Sequence, residues 1–136
     1  MKKTMRIVCA VMAVLMVVTM LAGCQSGKAK NYAENNTEFV LGLSAPLTGG
    51  AALYGTAVAN SAQMAVDEIN AAGGLNGIKF KLVVLDDKND ASTIATNFAT
   101  LLENGMQVSL GAVTSAPCNE FKTYAKDENV FFLTPS

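Results

Sequence analysis

The stretch SAPLTGGAALYG, residues 44–55, contains residue types that could cradle a phosphate. A phosphate-binding P-loop requires two glycines separated by four residues and followed by Lys and then Ser or Thr. Gly50 and Gly55 have that separation, but Thr56 stands where the lysine is required. The dinucleotide fingerprint G-x-G-x-x-G also fails, because Gly49 and Gly50 are adjacent. The loop therefore indicates either a site for another small ligand or a plain wide turn.

Few side chains in the sequence could catalyse a reaction or hold a metal ion. There is no histidine, which excludes a Ser-His-Asp triad and a histidine metal cluster. Asp86 and Asp87 are adjacent, but no third acid follows at coordinating spacing, so we predict cap and turn roles for them. Cys118 has no evident partner and is interpreted as a packed thiol at a helix start. We therefore predict no enzyme activity, no metal site and no cofactor.

Composition and charge restrict the class of protein. The length of 136 residues allows one small domain and a short leader. Hydrophobic residues make up 51% of the chain, which is typical of a globular protein rather than a disordered one. The net charge is −1 and basic residues form a run only at the N-terminus, so we predict no nucleic-acid partner.

The N-terminus has the pattern of a targeting segment. A basic start with Lys2, Lys3 and Arg6 precedes an uncharged apolar run that ends in Leu-Ala-Gly-Cys24. This ending resembles the bacterial lipobox, in which the cysteine is acylated and the leader is cut before it. We predict a signal peptide over 1–23, lipidation of Cys24 and anchoring in the lipid bilayer outside the cytoplasmic membrane, at the cell surface or in the periplasm. The alternative is an uncleaved membrane anchor.

The remainder of the sequence alternates between strand and helix patterns after a polar tether over 24–37. Strands are predicted over 39–45, 79–87, 107–112 and 129–136. Helices are predicted over 53–71, 91–104 and 118–128. The order β-α-β-α-β-α-β predicts an α/β fold, a doubly wound parallel sheet with helices on both faces. Because the sequence stops at the end of a predicted strand without a closing helix, it suggests a fragment.

Apolar spacing and end signals support the predicted helices. The inward face of the first helix is predicted to consist of Val58, Ala62, Ala65 and Ile69. The inward face of the second helix is predicted to consist of Ile94, Phe98 and Leu101. Gly73 is predicted to end the first helix as a left-handed cap, and Asp90 to begin the second as its N-cap.

In an open parallel sheet, ligands bind beyond the carboxyl ends of the strands, where the strand order reverses. If the first strand lies between the second and third, the loops APLTGGAALYG and VTSAPC flank that crevice. The loop TPS after the fourth strand would lie next to them. These loops carry hydroxyls and glycines but no charge, which favours a small polar ligand bound through neutral donors and a helix N-terminus.

Four segments of the sequence resemble one family. They are VLGLSAPLTGGAALYG, AVDEINAAGGLNGIKFKLVVLDDKND, VSLGAVTSAP and FFLTPS, and together they span about residues 38–136. They resemble the substrate-binding lipoproteins of branched-chain amino-acid ABC transporters, which are leucine-binding, type I periplasmic binding proteins. The resemblance implies two lobes joined by a hinge, of which 38–136 would be the N-terminal part of lobe one.

The resemblance also implies which residues contact the ligand. Ser115 matches a serine whose hydroxyl meets the ligand α-carboxylate, and Tyr54 matches a tyrosine that lines the side-chain pocket. Ser136 matches a residue whose backbone carbonyl accepts the α-ammonium. Plainer alternatives are a cap hydroxyl, a rim aromatic and a frayed terminal residue. Some members link the loops after the second and third strands by a disulfide, but Asn89 and Thr114 stand at those positions here.

The resemblance implies a solute receptor that traps an amino acid between two closing lobes and docks on an ABC permease. A sensory or regulatory module of the same fold is the main alternative. An enzyme with a doubly wound domain fits poorly with the missing histidine and fingerprints. A truncated chain that folds badly and binds nothing is a further alternative.

Overall fold

Strands and helices alternate along residues 38–135, the part of the chain that the computed structural model describes. The strands are β1 (Glu38–Ala45), β2 (Lys79–Asp86), β3 (Val108–Ala112) and β4 (Phe131–Phe132). The helices are α1 (Ala52–Ala71), α2 (Ile94–Glu103) and α3 (Ser115–Asp127), with a 3-10 turn at Ala91–Thr93 before α2. The predicted signal peptide, Cys24, the tether and Ser136 lie outside the described residues.

The four strands form one parallel sheet in the order β2-β1-β3-β4. This order confirms the predicted α/β class and the predicted place of β1 between β2 and β3. The connection from β1 to β2 runs in one direction across the sheet, and the next two run in the other. Right-handed crossovers therefore place α1 on one face and α2 and α3 on the opposite face.

Each face of the sheet has its own apolar cluster. The cluster on the α1 side contains Leu43, Ala45, Val58, Leu82, Val84 and Leu110. The cluster on the α2 and α3 side includes Ile94, Phe98 and Leu101, which confirms the predicted inward face of the second helix. Phe121 completes this larger cluster, with its ring centroid 4.9 Å from that of Phe98 and 5.6 Å from that of Phe132.

All three helices end in the same way, with a residue of positive φ that turns the chain back towards the sheet. After α1, the amide of Gly73 donates to Asn70 O and that of Gly74 to Ile69 O, which is a Schellman motif. Gly73 has φ +107°, so the predicted left-handed cap is confirmed. Gly105 and Asn129 hold the equivalent positions after α2 and α3.

Two helix predictions need correction. On α1 the buried residues are Gly55 and Val66, whereas Ala65 is exposed and Ile69 is 41% exposed. The stripe that faces the sheet runs through Gly55, Ala59 and Val66, and Ala65 and Ile69 lie at its edge.

None of the helices within 38–135 combines the length and the apolar character needed to cross a membrane.

The third helix begins at Ser115, three residues earlier than predicted. The predicted start at 118 left Pro117 outside the helix. Pro117 here occupies the first turn, where an amide hydrogen is not needed for an intrahelical bond. Ser115 is therefore the first helical residue rather than a loop residue.

Candidate ligand-binding site

Two of the predicted ligand residues come together at the carboxyl edge of the sheet. Tyr54 in the first turn of α1 and Ser115 at the start of α3 line one pocket of about 320 Å³, together with Val113 and Thr114. Tyr54 is 66% exposed and Ser115 is also exposed, so both side chains are accessible from solvent. The pocket lies where the chain leaves β1 in one direction and β3 in the other, at the reversal of strand order.

The start of α3, beside this pocket, carries several hydrogen-bond donors. The first helical bond runs from the Cys118 amide to Thr114 O at 2.9 Å, so the amides of Ser115 and Ala116 have no intrahelical acceptor. The Ser115 hydroxyl adds a third donor, and the positive end of the helix dipole favours negative charge here. A carboxylate is a ligand group that suits such an arrangement.

Thr114 is the N-cap of α3, yet its side chain makes no cap hydrogen bond. Its hydroxyl oxygen is buried and has no hydrogen-bond partner within residues 38–135. A cap side chain usually accepts from the second or third helical amide, and the third residue here is Pro117, which has no amide hydrogen. The hydroxyl therefore carries a desolvation cost that no bond offsets.

We expect Thr114→Val to leave the free energy of unfolding unchanged or to raise it by about 1 kcal/mol, because the variant removes an unpaired buried hydroxyl and keeps the shape. Urea unfolding of both proteins measures this. The matched control is Thr134→Val, because the Thr134 hydroxyl donates to Ala112 O at 3.1 Å. The control should lose about 1 kcal/mol. A clear loss of stability in Thr114→Val would show that its hydroxyl is paired in solution.

A β-bulge in β3 sets how the chain enters this pocket. Between Gly42 and Ser44 the register with β1 shifts, and β3 uses one extra residue to reach Ala112. The buried Ser109 hydroxyl donates to Gly42 O at 2.9 Å and accepts from the Gly111 amide at 2.8 Å. Gly111 has φ +70°, a conformation that glycine adopts without strain. The bulge therefore shifts the end of β3, which leads into Ser115, by one residue relative to β1.

Asp86, the last residue of β2, holds the loop that follows β1. Its Oδ1 accepts from the amides of Leu47 and Lys88 at 2.8 and 2.9 Å, and its Oδ2 accepts from the Thr48 hydroxyl at 2.6 Å. The Thr48 hydrogen bond, together with these backbone donors, lowers the pKa of Asp86 from 3.8 to about 2. Ionised Asp86 thus stabilises the fold above about pH 4, and this contribution is lost as the pH falls towards 2.

Asp87 plays a different role inside the protein. It is fully buried, accepts from the Ser44 hydroxyl at 3.2 Å and from the Asn89 amide at 2.9 Å. Asn97 on α2 donates to the same Ser44 hydroxyl at 3.1 Å. Burial raises the pKa of Asp87, and the hydrogen bonds from Asn89 and Ser44 only partly offset this. Ionised Asp87 therefore costs stability once the pH rises above 3.8, opposite in sign to Asp86.

The predicted turn roles of the two aspartates are confirmed by the bonds from Lys88 and Asn89. Asp90 accepts from the Ser92 amide as the N-cap of the 3-10 turn that leads into α2, while the N-cap of α2 itself is Thr93. Sequence reasoning missed the long-range role of Asp86, because its partners Leu47 and Thr48 lie 39 and 38 residues away. Within the described part of the chain, no three His, Cys, Asp or Glu residues gather as metal ligands would.

The other end of the loop is fixed by close packing. Gly55 in α1 is buried against the Pro46 carbonyl, and a Cβ at Gly55 would lie 2.0 Å from Pro46 O. Pro46 is itself buried, directly after β1. The loop is thus held at its start and at its end, and Tyr54 precedes the fixed Gly55.

The sheet is parallel and doubly wound, and an accessible pocket lies beyond the carboxyl ends of its central strands, where proteins of this class commonly bind ligands. Comparison with known families then gives the particular group. The chain belongs to the periplasmic binding protein family, whose profile, described as "Periplasmic binding protein", matches residues 38–136. Within it, the similarities are to the leucine-binding, type I proteins.

Several relatives share this part of the sequence. The Leu/Ile/Val-binding protein BraC3 of Rhizobium johnstonii is 35% identical over 101 residues, covering 74% of this chain and 28% of the relative. The leucine-, isoleucine-, valine-, threonine- and alanine-binding protein of Pseudomonas aeruginosa is 32% identical, covering 71% of this chain and 26% of the relative. The chain thus spans little more than a quarter of the length of these relatives.

A solved structure supports the fold directly. The branched-chain amino-acid transporter substrate-binding protein LivJ of Streptococcus pneumoniae, solved in complex with isoleucine, superposes with a TM-score of 0.70. It is 32% identical, and the match covers 74% of this chain and 29% of LivJ.

Proposed function

We propose that this chain is part of an extracytoplasmic solute receptor that binds an amino acid, branched-chain or related, and delivers it to an ABC permease. The observation that carries the proposal is the convergence of Tyr54 and Ser115 on one pocket at the strand-order reversal. The names of the relatives, which include Leu/Ile/Val-binding proteins, support the ligand class.

The α-carboxylate and the side chain of an amino acid each have a counterpart at this pocket. Its α-carboxylate pairs with the Ser115 hydroxyl and the free amides of Ser115 and Ala116 at the positive end of α3. Tyr54 offers an aromatic surface to the ligand side chain. Ser136 would offer its backbone carbonyl to the α-ammonium. Binding and release need no covalent step, and we propose that the protein is not an enzyme.

We further propose the arrangement along the chain. Residues 1–23 are a signal peptide, acylated Cys24 anchors the protein in the bilayer outside the cytoplasmic membrane, and 24–37 are a tether. Residues 38–136 are the N-terminal part of the leucine-binding-type domain, whose remaining ligand contacts come from the greater length present in its relatives.

Titration of the full chain with L-isoleucine in a calorimeter tests the proposed function. We expect saturable binding, and we expect Ser115→Ala to weaken it by about 1–3 kcal/mol, because a hydrogen bond to a charged group is lost. The matched control is Ser61→Ala, since Ser61 is an exposed serine of α1 whose hydroxyl donates to Ala57 O at 2.8 Å, away from the pocket. The control should bind like the wild type.

Unchanged affinity in Ser115→Ala would remove Ser115 from the site. No binding of L-isoleucine or of any other amino acid in a panel, by a chain whose unfolding transition is cooperative, would contradict amino-acid binding by residues 38–136 themselves.

A further inference from the structure

The loop between β1 and α1 depends on a charged side chain from a different strand. Asp86 belongs to β2, yet it accepts hydrogen bonds from the Leu47 amide and the Thr48 hydroxyl of this loop, at 2.8 and 2.6 Å. A third bond, from the Lys88 amide at 2.9 Å, fixes the carboxylate itself at the end of β2. The carboxylate therefore links the end of β2 rigidly to the first residues of the loop.

This link reaches Tyr54 through a short path of contacts. Leu47 follows Pro46, and the Pro46 carbonyl packs so closely on Gly55 that no Cβ fits between them. Tyr54 is the neighbour of Gly55 and lines the pocket that also contains Ser115. A displacement of the loop at Leu47 would thus be transmitted to the backbone that carries Tyr54. Asp86 itself does not line this pocket.

We propose that Asp86 is a positioning residue for the ligand site: its carboxylate holds the loop after β1 so that Tyr54 faces Ser115 across the pocket. The inference rests on the proposed function. It differs from a purely stabilising role, because it requires that the effect of Asp86 on binding passes through Tyr54. The low pKa of Asp86 is consistent with it, since the carboxylate stays ionised and accepts all three bonds at neutral pH.

Three variants of the full chain separate these roles. Asp86→Ala removes the acceptor, so we expect hydrogen exchange at the Leu47 amide to rise about tenfold or more and affinity for L-isoleucine to fall about tenfold. Asp86→Asn keeps one acceptor oxygen and can donate to the Thr48 hydroxyl, so it should restore much of both. The matched control is Asp90→Ala, because Asp90 caps the nearby 3-10 turn without contacting the loop.

A double-mutant cycle provides the decisive readout. In a Tyr54→Ala background, Asp86→Ala should lower the affinity for L-isoleucine less than about twofold, because the residue through which it acts is gone. An unreduced effect of Asp86→Ala in that background would overturn the positioning role. So would wild-type exchange at Leu47 in Asp86→Ala, or equal effects of Asp86→Ala and Asp90→Ala.

Failure of the proposed function remains distinguishable from failure of this inference. If the wild-type chain does not bind L-isoleucine, the proposed binding fails for that ligand. Hydrogen exchange by itself then tests the positioning role. Faster exchange over residues 51–55 in Asp86→Ala, with β1 and β2 unchanged, supports it. Unchanged exchange over 51–55 overturns it.

Discussion

Gly55→Ala is expected to lower the free energy of unfolding by about 1–3 kcal/mol and to weaken ligand binding as well. The new Cβ would lie 2.0 Å from Pro46 O and 2.6 Å from the Pro46 carbonyl carbon. Both are backbone atoms, so the strain is relieved only if the loop moves. Alanine favours a helix by about 1 kcal/mol over glycine, but this gain is smaller than the strain.

Urea unfolding and calorimetric titration with L-isoleucine measure the two effects of Gly55→Ala. The matched control is Gly50→Ala, because a Cβ at Gly50 meets no atom within 4 Å. Its stability should stay within about 0.5 kcal/mol of the wild type. Equal stability of the Gly55 and Gly50 variants would mean that the loop does not pack on α1 as closely as the structure shows.

Phe121→Ala is expected to lower the free energy of unfolding by about 3–5 kcal/mol, which is more than we expect for Gly55→Ala or Thr114→Val. The Phe121 side chain is fully buried, and its ring contacts those of Phe98 and Phe132. Truncation removes apolar burial and leaves a cavity between α2, α3 and the sheet. Because small domains are stable by about 5–15 kcal/mol, such a loss could abolish folding.

Chemical denaturation of Phe121→Ala and Phe121→Leu tests this prediction. The leucine variant retains most of the side-chain volume, so it should lose less stability and can be measured even if the alanine variant does not fold. The matched control is Phe131→Ala, because Phe131 is 69% exposed on β4. We expect its midpoint to change little and its m-value to stay constant. A loss at Phe131 as large as that at Phe121 would show that the two faces of β4 are equally covered in solution.

Much of the fold was predictable because its signals are local. The alternation of apolar runs and helical spacing predicted the helices, the strands and the parallel sheet, although β4 covers only Phe131–Phe132 of the predicted 129–136. Ile94, Phe98 and Leu101 proved to be the buried face of α2, because a spacing of three and four residues marks one side of a helix. Gly73 was predictable as a cap for a similar reason, since the left-handed conformation strongly favours glycine.

Predictions were weaker where local signals conflict or depend on what lies opposite. The predicted start of α3 was three residues too late. Proline breaks the interior of a helix but is tolerated in its first turn, where Pro117 lies. The face of α1 was partly wrong because small and apolar residues occupy more than one side of that helix. Which side is buried depends on how the helix lies on the sheet, and spacing alone does not contain that information.

The features of the candidate site also separate into those that the sequence predicted and those that only the structure decided. The sequence by itself determined that the loop after β1 lacks the lysine and the glycine spacing of a nucleotide site, and that histidine chemistry is absent. It also pointed to Tyr54 and Ser115 through resemblance to a family. Only the tertiary structure decided that these two side chains share one pocket, that a bulge in β3 precedes it, and that Asp86 holds the loop beside it. The reason is physical: strand register and hydrogen bonds between residues about 40 positions apart are fixed by packing of the whole sheet, whereas a sequence pattern reports only on near neighbours.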